Sequence, residues 1–134
     1  MAGYSQTPLL KKLGIKPGDT VWFLHAPDYY MALLGPLPDG VTMVDGAGPL
    51  CDFIHFFTQT RVDLRATFPS LKKNLVKDGM IWISWPKKAA ELPGDLDGNA
   101  VREIGIGYGL VDVKVAAIDE VWSGLKFVYR LKDR

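Results

Sequence analysis

The run Thr20-Val-Trp-Phe-Leu-His-Ala-Pro-Asp28 restricts the fold more than any other stretch of the chain. Its first half is a strand with large apolar side chains at consecutive positions, and such a strand needs cover on both faces. The same character returns in Asp52-Phe-Ile-His-Phe-Phe-Thr58, where only His55 interrupts the apolar run, and in residues 80–85. Three strands of this kind, separated by stretches with helical spacing, point to an α/β sheet sandwiched between helices.

The intervening segments complete the pattern. Residues 1–19 form an arm in which Thr7 caps a short helix through Leu13 and Gly14 ends it. Asp28 caps a two-turn helix over 29–34, stopped by Gly35-Pro-Leu-Pro-Asp-Gly40. A second strand spans 41–45. Thr60 and Asp63 open the next helix in capping-box fashion, with Leu64, Phe68, Leu71 and Leu75 on one face; Pro69 should kink or split it, and Lys77-Asp-Gly79 closes it. Asp95 and Asp97 suit the N-terminus of a helix running to about Tyr108. Residues 111–118 alternate, with Val111, Val113 and Val115 inward, and 125–131 alternate again on Leu125, Phe127, Tyr129 and Leu131. The short 119–124 connection makes these last two strands an antiparallel hairpin. Right-handed crossovers make the first five strands parallel.

At 134 residues this is one domain, 1–134, with 48% hydrophobic and 23% charged residues. Sixteen basic and fifteen acidic side chains leave a net charge of +1, so no global field recruits nucleic acid or an anionic membrane. Locally, residues 89–120 carry seven acids against Arg102 and Lys114, and the lysine-rich remainder compensates. The single cysteine, Cys51, excludes an internal disulfide and fits a reducing compartment. No run free of charged side chains exceeds ten residues, and no signal-type apolar core opens the chain, so a soluble cytoplasmic protein is expected.

The helix leading into Leu75-Val-Lys-Asp-Gly-Met-Ile-Trp-Ile-Ser-Trp-Pro-Lys-Lys88, the next helix, Gly109-Leu-Val-Asp-Val-Lys-Val-Ala-Ala-Ile-Asp119 and a reversed final strand resemble the second half of class I methyltransferases. The resemblance covers about residues 50–132. It implies a Rossmann-like three-layer sandwich ordered 2-1-3-4-6-5 with the last strand antiparallel, the first half being shortened by one strand–helix unit. More narrowly, Tyr4-Ser-Gln-Thr-Pro-Leu-Leu-Lys-Lys-Leu-Gly-Ile-Lys-Pro-Gly18, the Trp85-Pro-Lys-Lys88 turn and the last 24 residues are similar to a family of small bacterial proteins catalogued as a domain of unknown function. That resemblance implies no activity.

Against the methyltransferase pattern, the loop after the first strand departs. The superfamily places glycines there so that the cofactor can approach the backbone; His25-Ala26-Pro27 brings bulk and a missing N–H. Asp45 ends strand two, where the superfamily's acidic residue holds a ribose, although a loop-closing aspartate is also an everyday turn residue. On this ground no cofactor is expected, and S-adenosylmethionine is not expected to bind. The Gly105-Ile-Gly107-Tyr-Gly109 string follows a helix instead of preceding one, so it reads as helix packing and termination. Asp95-Leu-Asp97-Gly-Asn99 lacks the later glycine and glutamate of a calcium loop and reads as a cap. His55 reads as a hydrogen-bonded core residue, Cys51 as a small buried thiol, and no metal cluster surrounds either histidine.

The implied order makes neighbours of two loops. Trp85-Pro-Lys87-Lys88 leaves strand four at the edge where Asp119-Glu120-Val-Trp122 turns. Trp85, Lys87, Lys88, Asp119, Glu120 and Trp122 would then line one rim with His25, Asp28 and Arg61. The rim is either a surface salt-bridge cluster covering indole or a recognition site for a small molecule or protein. The favoured function is therefore non-catalytic binding of an unidentified small molecule or protein partner, with no nucleic acid or membrane partner and a homodimer left open. The alternatives are a methyltransferase-like enzyme with an altered first loop, using Asp45 on the ribose and Lys87 or His25 near the substrate, and a structural interaction module.

Overall fold

The structure, a computed structural model, describes residues 8–134. Six strands form one sheet in the order β2-β1-β3-β4-β6-β5: β1 Thr20–Leu24, β2 Thr42–Met43, β3 Cys51–Phe57, β4 Leu75–Pro86, β5 Leu110–Ala117 and β6 Trp122–Tyr129. The pairings from β2 to β4 are parallel, and β6 runs antiparallel between β4 and β5. This is the Rossmann-like order expected from the methyltransferase resemblance.

The helices are α1 Leu9–Leu13, α2 Tyr30–Leu34, α3 Arg61–Lys73 and α4 Gly98–Gly107. Two apolar layers result. On one face Trp22, Ile54, Phe56, Ile81, Ile83, Trp85, Leu125 and Phe127 meet Leu64, Phe68 and Leu71 of α3 and Val101 and Ile104 of α4. On the other, Val21, Phe53, Phe57 and Trp82 meet Leu13 of α1 and Tyr30 and Leu34 of α2. Consecutive large residues of β1, β3 and β4 thus serve opposite layers. Burying one such side chain contributes about 1.5–3 kcal/mol.

Several local expectations change. Thr7 lies outside the described residues, and Pro8 holds the N-cap position of α1; Gly14 ends that helix in the left-handed region at φ 93°. Asp28 does not cap α2: the helix begins later, after a turn in which the Tyr30 N–H donates to the Pro27 carbonyl. Strand β2 is only two residues long because Asp45 folds into a turn, its carboxylate accepting the Ala47 N–H at 3.0 Å. The chain then crosses back over Trp22 as a bare loop; at Gly46, φ 83°, a Cβ would overlap the indole.

Thr60 caps α3 by accepting the Asp63 N–H at 3.1 Å, while the Asp63 carboxylate turns to the Thr58 hydroxyl at 2.6 Å instead of back to Thr60. Pro69 does not split α3. Its missing N–H would orphan the Arg65 carbonyl, and the Tyr108 hydroxyl donates to that carbonyl at 2.9 Å. Leu75 and the Lys77–Gly79 turn belong to β4, which starts five residues before the expected point. Strand β5 is an edge with a register shift between Asp112 and Lys114, so Val113 and Val115, expected inward, are 54% and 71% exposed. Leu131 lies beyond β6 and is exposed. No helix among the described residues is long and apolar enough to cross a membrane.

Candidate functional site

Strands β1, β3 and β4 end at one edge, where open α/β sheets bind ligands. The loops leaving them, and the β5–β6 turn, hold the expected residues. The structure sorts these into three groups.

The first group is the β4–β6 corner. The Lys87 N–H donates to the Val121 carbonyl at 2.8 Å and its Nζ to the Asp119 carbonyl at 2.6 Å. The two loops are neighbours, and the ammonium bonds the backbone of Asp119 instead of its carboxylate. That carboxylate is occupied by its own turn, accepting the Val121 and Trp122 N–H groups at 2.8 Å each. Trp122 stands edge-on to Phe57, with ring centroids 5.2 Å apart. Tyr29, 43% exposed, joins this corner from the start of α2. Local burial and the adjoining Asp119 carboxylate push its phenol up to about 12, so it is a hydrogen-bond donor at neutral pH. Glu120 and Lys88 are exposed.

Trp85 and Arg61, both expected at the rim, do not join this corner. Trp85 is 7% exposed and lies in the α3/α4 layer, near Gly98. In the β4–β6 ladder Trp85 pairs with Ser123 and Pro86 with Trp122, so the two indoles fall on opposite faces of the pleat. Arg61 is committed to a second group: its N–H donates to the Asp95 carboxylate at 2.8 Å and its Nε to the Asp95 carbonyl at 3.0 Å. Asp95 thereby serves the start of α3, while Asp97 caps α4 through the Ala100 N–H. Gln59 ties the same loop down, its side-chain amide donating to the Pro93 carbonyl at 2.8 Å. A cavity of about 250 Å³ lies between Gln59, Lys87, Lys88 and the 92–97 loop.

The third group is at the β1–β2 end. His25 is exposed and adopts φ 56°, the left-handed region that usually selects glycine. Its ring tilts against Phe56 at 5.7 Å. Val44, the residue before Asp45, still donates its N–H to the Val21 carbonyl, which holds the exposed Asp45 beside β1. Asp28 is exposed on the same turn.

Sequence reasoning missed Tyr29, Gln59 and the Asp95 bridge. Tyr29 read as an ordinary helical residue, and the Arg61–Asp95 pair joins positions 34 residues apart with no local signal. Among the described residues no three His, Cys, Asp or Glu side chains converge on a metal-sized site.

No protein-family model and no curated protein matches the chain. The resemblance to the small bacterial family therefore rests on its quoted residues alone. Solved structures do match. An S-adenosylmethionine-dependent methyltransferase from Aquifex aeolicus aligns with TM-score 0.63 at 16% identity, over 89% of this chain and 86% of that one. Fibrillarin from Aeropyrum pernix, with natively bound S-adenosylmethionine, aligns with TM-score 0.59 at 11% identity, over 94% and 70%. Magnesium protoporphyrin IX methyltransferase from Synechocystis, with bound S-adenosylhomocysteine, aligns with TM-score 0.56 at 12% identity, over 91% and 78%. The fold is that of the class I methyltransferases.

This likeness corrects the expectation that the chain takes no cofactor and that S-adenosylmethionine does not bind, because matched structures of this fold hold that molecule, as in the fibrillarin, or its demethylated product, as in the Synechocystis enzyme. The bulk of His25 and the missing N–H of Pro27 remain at that loop, with His25 itself in the left-handed region at φ 56°.

Proposed function

We propose that the chain is a methyltransferase-like protein that binds S-adenosylmethionine at the carboxyl edge of β1 and β2. The observation that carries the reading is the placement of Asp45. Its carboxylate stands exposed just past β2 and accepts the Ala47 N–H, while the preceding Val44 N–H bonds the Val21 carbonyl of β1, the strand that leads into the left-handed His25 turn, in a sheet of methyltransferase order. Asp45 would hold the ribose hydroxyls, and the 25–28 turn would face the amino-acid portion. The cofactor supplies an electrophilic methyl group when bound. The chain supplies the surroundings: the exposed His25 imidazole can accept a proton at that edge, Tyr29 donates a hydrogen bond, and Lys87 places an ammonium against the β5–β6 turn.

Calorimetric titration with S-adenosylhomocysteine tests the reading. Saturable binding that Asp45→Ala weakens by about tenfold or more is expected, that factor being the equivalent of ~1.4 kcal/mol. Absence of saturable heat, or binding indifferent to Asp45→Ala, would overturn it.

A further inference from the structure

The opposite edge of the sheet carries a second concavity. An open groove of about 630 Å³ is lined by Leu50, Pro69, Leu75, Val76, Tyr108 and Tyr129, with Lys72, Lys73 and Lys77 around it. Its size falls within the roughly 300–1,000 Å³ of small-molecule sites. Leu50, just before β3, is 54% exposed there. The floor is aliphatic and aromatic and the rim carries three ammonium groups.

The aromatic wall is held in place. The Tyr129 hydroxyl donates to the Lys72 carbonyl at 3.2 Å, and the Tyr108 ring stacks on Phe68 with centroids 5.1 Å apart. Lys72 donates to the Tyr108 carbonyl at 2.8 Å, and Lys77 sits over the Tyr129 ring, 4.4 Å from its centroid. Lys72 and Lys73 complement the negative end of α3, which accounts for two of the cations. That reasoning does not reach Lys77, which lies on β4 and converges on the groove from the other side. Asp133 is the carboxylate felt at the Tyr129 phenol, against the three ammonium groups.

We propose that this groove binds a small amphiphilic carboxylate, its apolar body along Leu50, Leu75 and Val76 and its head between Lys73 and Lys77. Charge complementarity selects the head, and the apolar lining selects the body. The site is separate from the carboxyl edge and does not depend on the function proposed there.

Octanoate is the probe, with 1-octanol as its uncharged counterpart and S-adenosylhomocysteine titrated in parallel to report on the other edge. Octanoate should bind saturably and at least about tenfold more tightly than 1-octanol. Lys73→Gln with Lys77→Gln should weaken octanoate by about tenfold, and Leu50→Asp likewise, while Lys11→Gln, outside the groove, leaves it unchanged. All four substituted side chains are exposed, so melting temperatures should hold and folding is not the readout. Failure of octanoate to saturate, equal binding of 1-octanol, or full affinity in the double lysine variant would each overturn the proposal, whatever happens with S-adenosylhomocysteine.

Discussion

The Tyr30 hydroxyl lies 2.7 Å from His55 Nδ1, and His55 Nε2 lies 2.7 Å from Ser84 Oγ, all three side chains being buried. The chain of bonds satisfies a histidine that is otherwise packed among Phe53, Phe57 and Tyr30. Burial keeps the ring neutral, and a neutral imidazole donates through one nitrogen and accepts at the other, which two hydroxyl partners can satisfy in either tautomer.

A pH dependence follows from this arrangement. Burial lowers the His55 pKa from 6.5 to about 3. Between those values the unfolded chain binds a proton that the folded one refuses. The stability held by the neutral ring is therefore complete above about pH 6.5 and is lost as pH falls toward 3, by up to about 1.4 kcal/mol per pH unit. Urea midpoints measured from about pH 7.5 down to 4.5 should decline more steeply in the wild type than in His55→Gln. Equal slopes would show that His55 does not govern the acid side.

Tyr108 and Pro69 should be energetically coupled. Tyr108→Phe removes the hydroxyl that serves the Arg65 carbonyl and should cost about 1 kcal/mol. In a Pro69→Ala background the restored backbone N–H can serve the same carbonyl, so the cost should shrink. A double-mutant cycle by urea denaturation measures the coupling, and additivity within ~0.3 kcal/mol would refute it.

Gly105→Ala should destabilise the packing of α4 on β6. A Cβ at 105 has no room against the Phe127 ring, which is itself fully buried. Overpacking of this kind costs about 1–3 kcal/mol, against the ~1 kcal/mol that alanine usually gains over glycine in a helix. Net loss in a thermal melt is expected. Adding Phe127→Leu should recover part of it.

The Asp119 carboxylate is expected to act on both the turn and Tyr29. Asp119→Ala frees two N–H groups and should cost about 1–2 kcal/mol. It should also lower the Tyr29 pKa from about 12 toward the model-peptide value of 10.0, since a raising influence is removed. Ultraviolet titration compared with Tyr29→Phe in the same background isolates that phenol. An unmoved transition would separate Tyr29 from the rim.

What the sequence made legible was whatever chain-local pattern controls. Unbroken apolar strands foretold two covered faces, and Thr60, Asp97 and Gly14 marked helix ends because capping acts over three or four residues. The strand order came from resemblance, not from any local signal. Parity was harder: Trp85 and Trp122 look alike in sequence, and only the β4–β6 register sends them to opposite faces. The Val113 and Val115 alternation pointed inward by propensity, but an edge strand with a bulge has no layer over its outer half. Bonds that join distant turns, such as Arg61 to Asp95, carry no sequence signature at all. The glycine argument at the first loop misled because the residues of one loop do not show where a cofactor would lie against the whole sheet; His25 holds its left-handed conformation at a cost of about 1–2 kcal/mol.

The two-residue β2 has a kinetic meaning for the margin of the sheet it closes. Its link to the rest of the molecule is short, with the Thr42 N–H on the Asp19 carbonyl, the Val44 N–H on the Val21 carbonyl, and a single loop laid over Trp22. Few buried contacts break when such an element detaches, so its amides should exchange with solvent deuterium through small fluctuations, while those of β3 and β4 await global unfolding. Asp45 sits at the tip of that loosely held margin. A ligand gripping Asp45 would slow exchange throughout residues 42–47, recording occupancy as protection even where it contributes no heat.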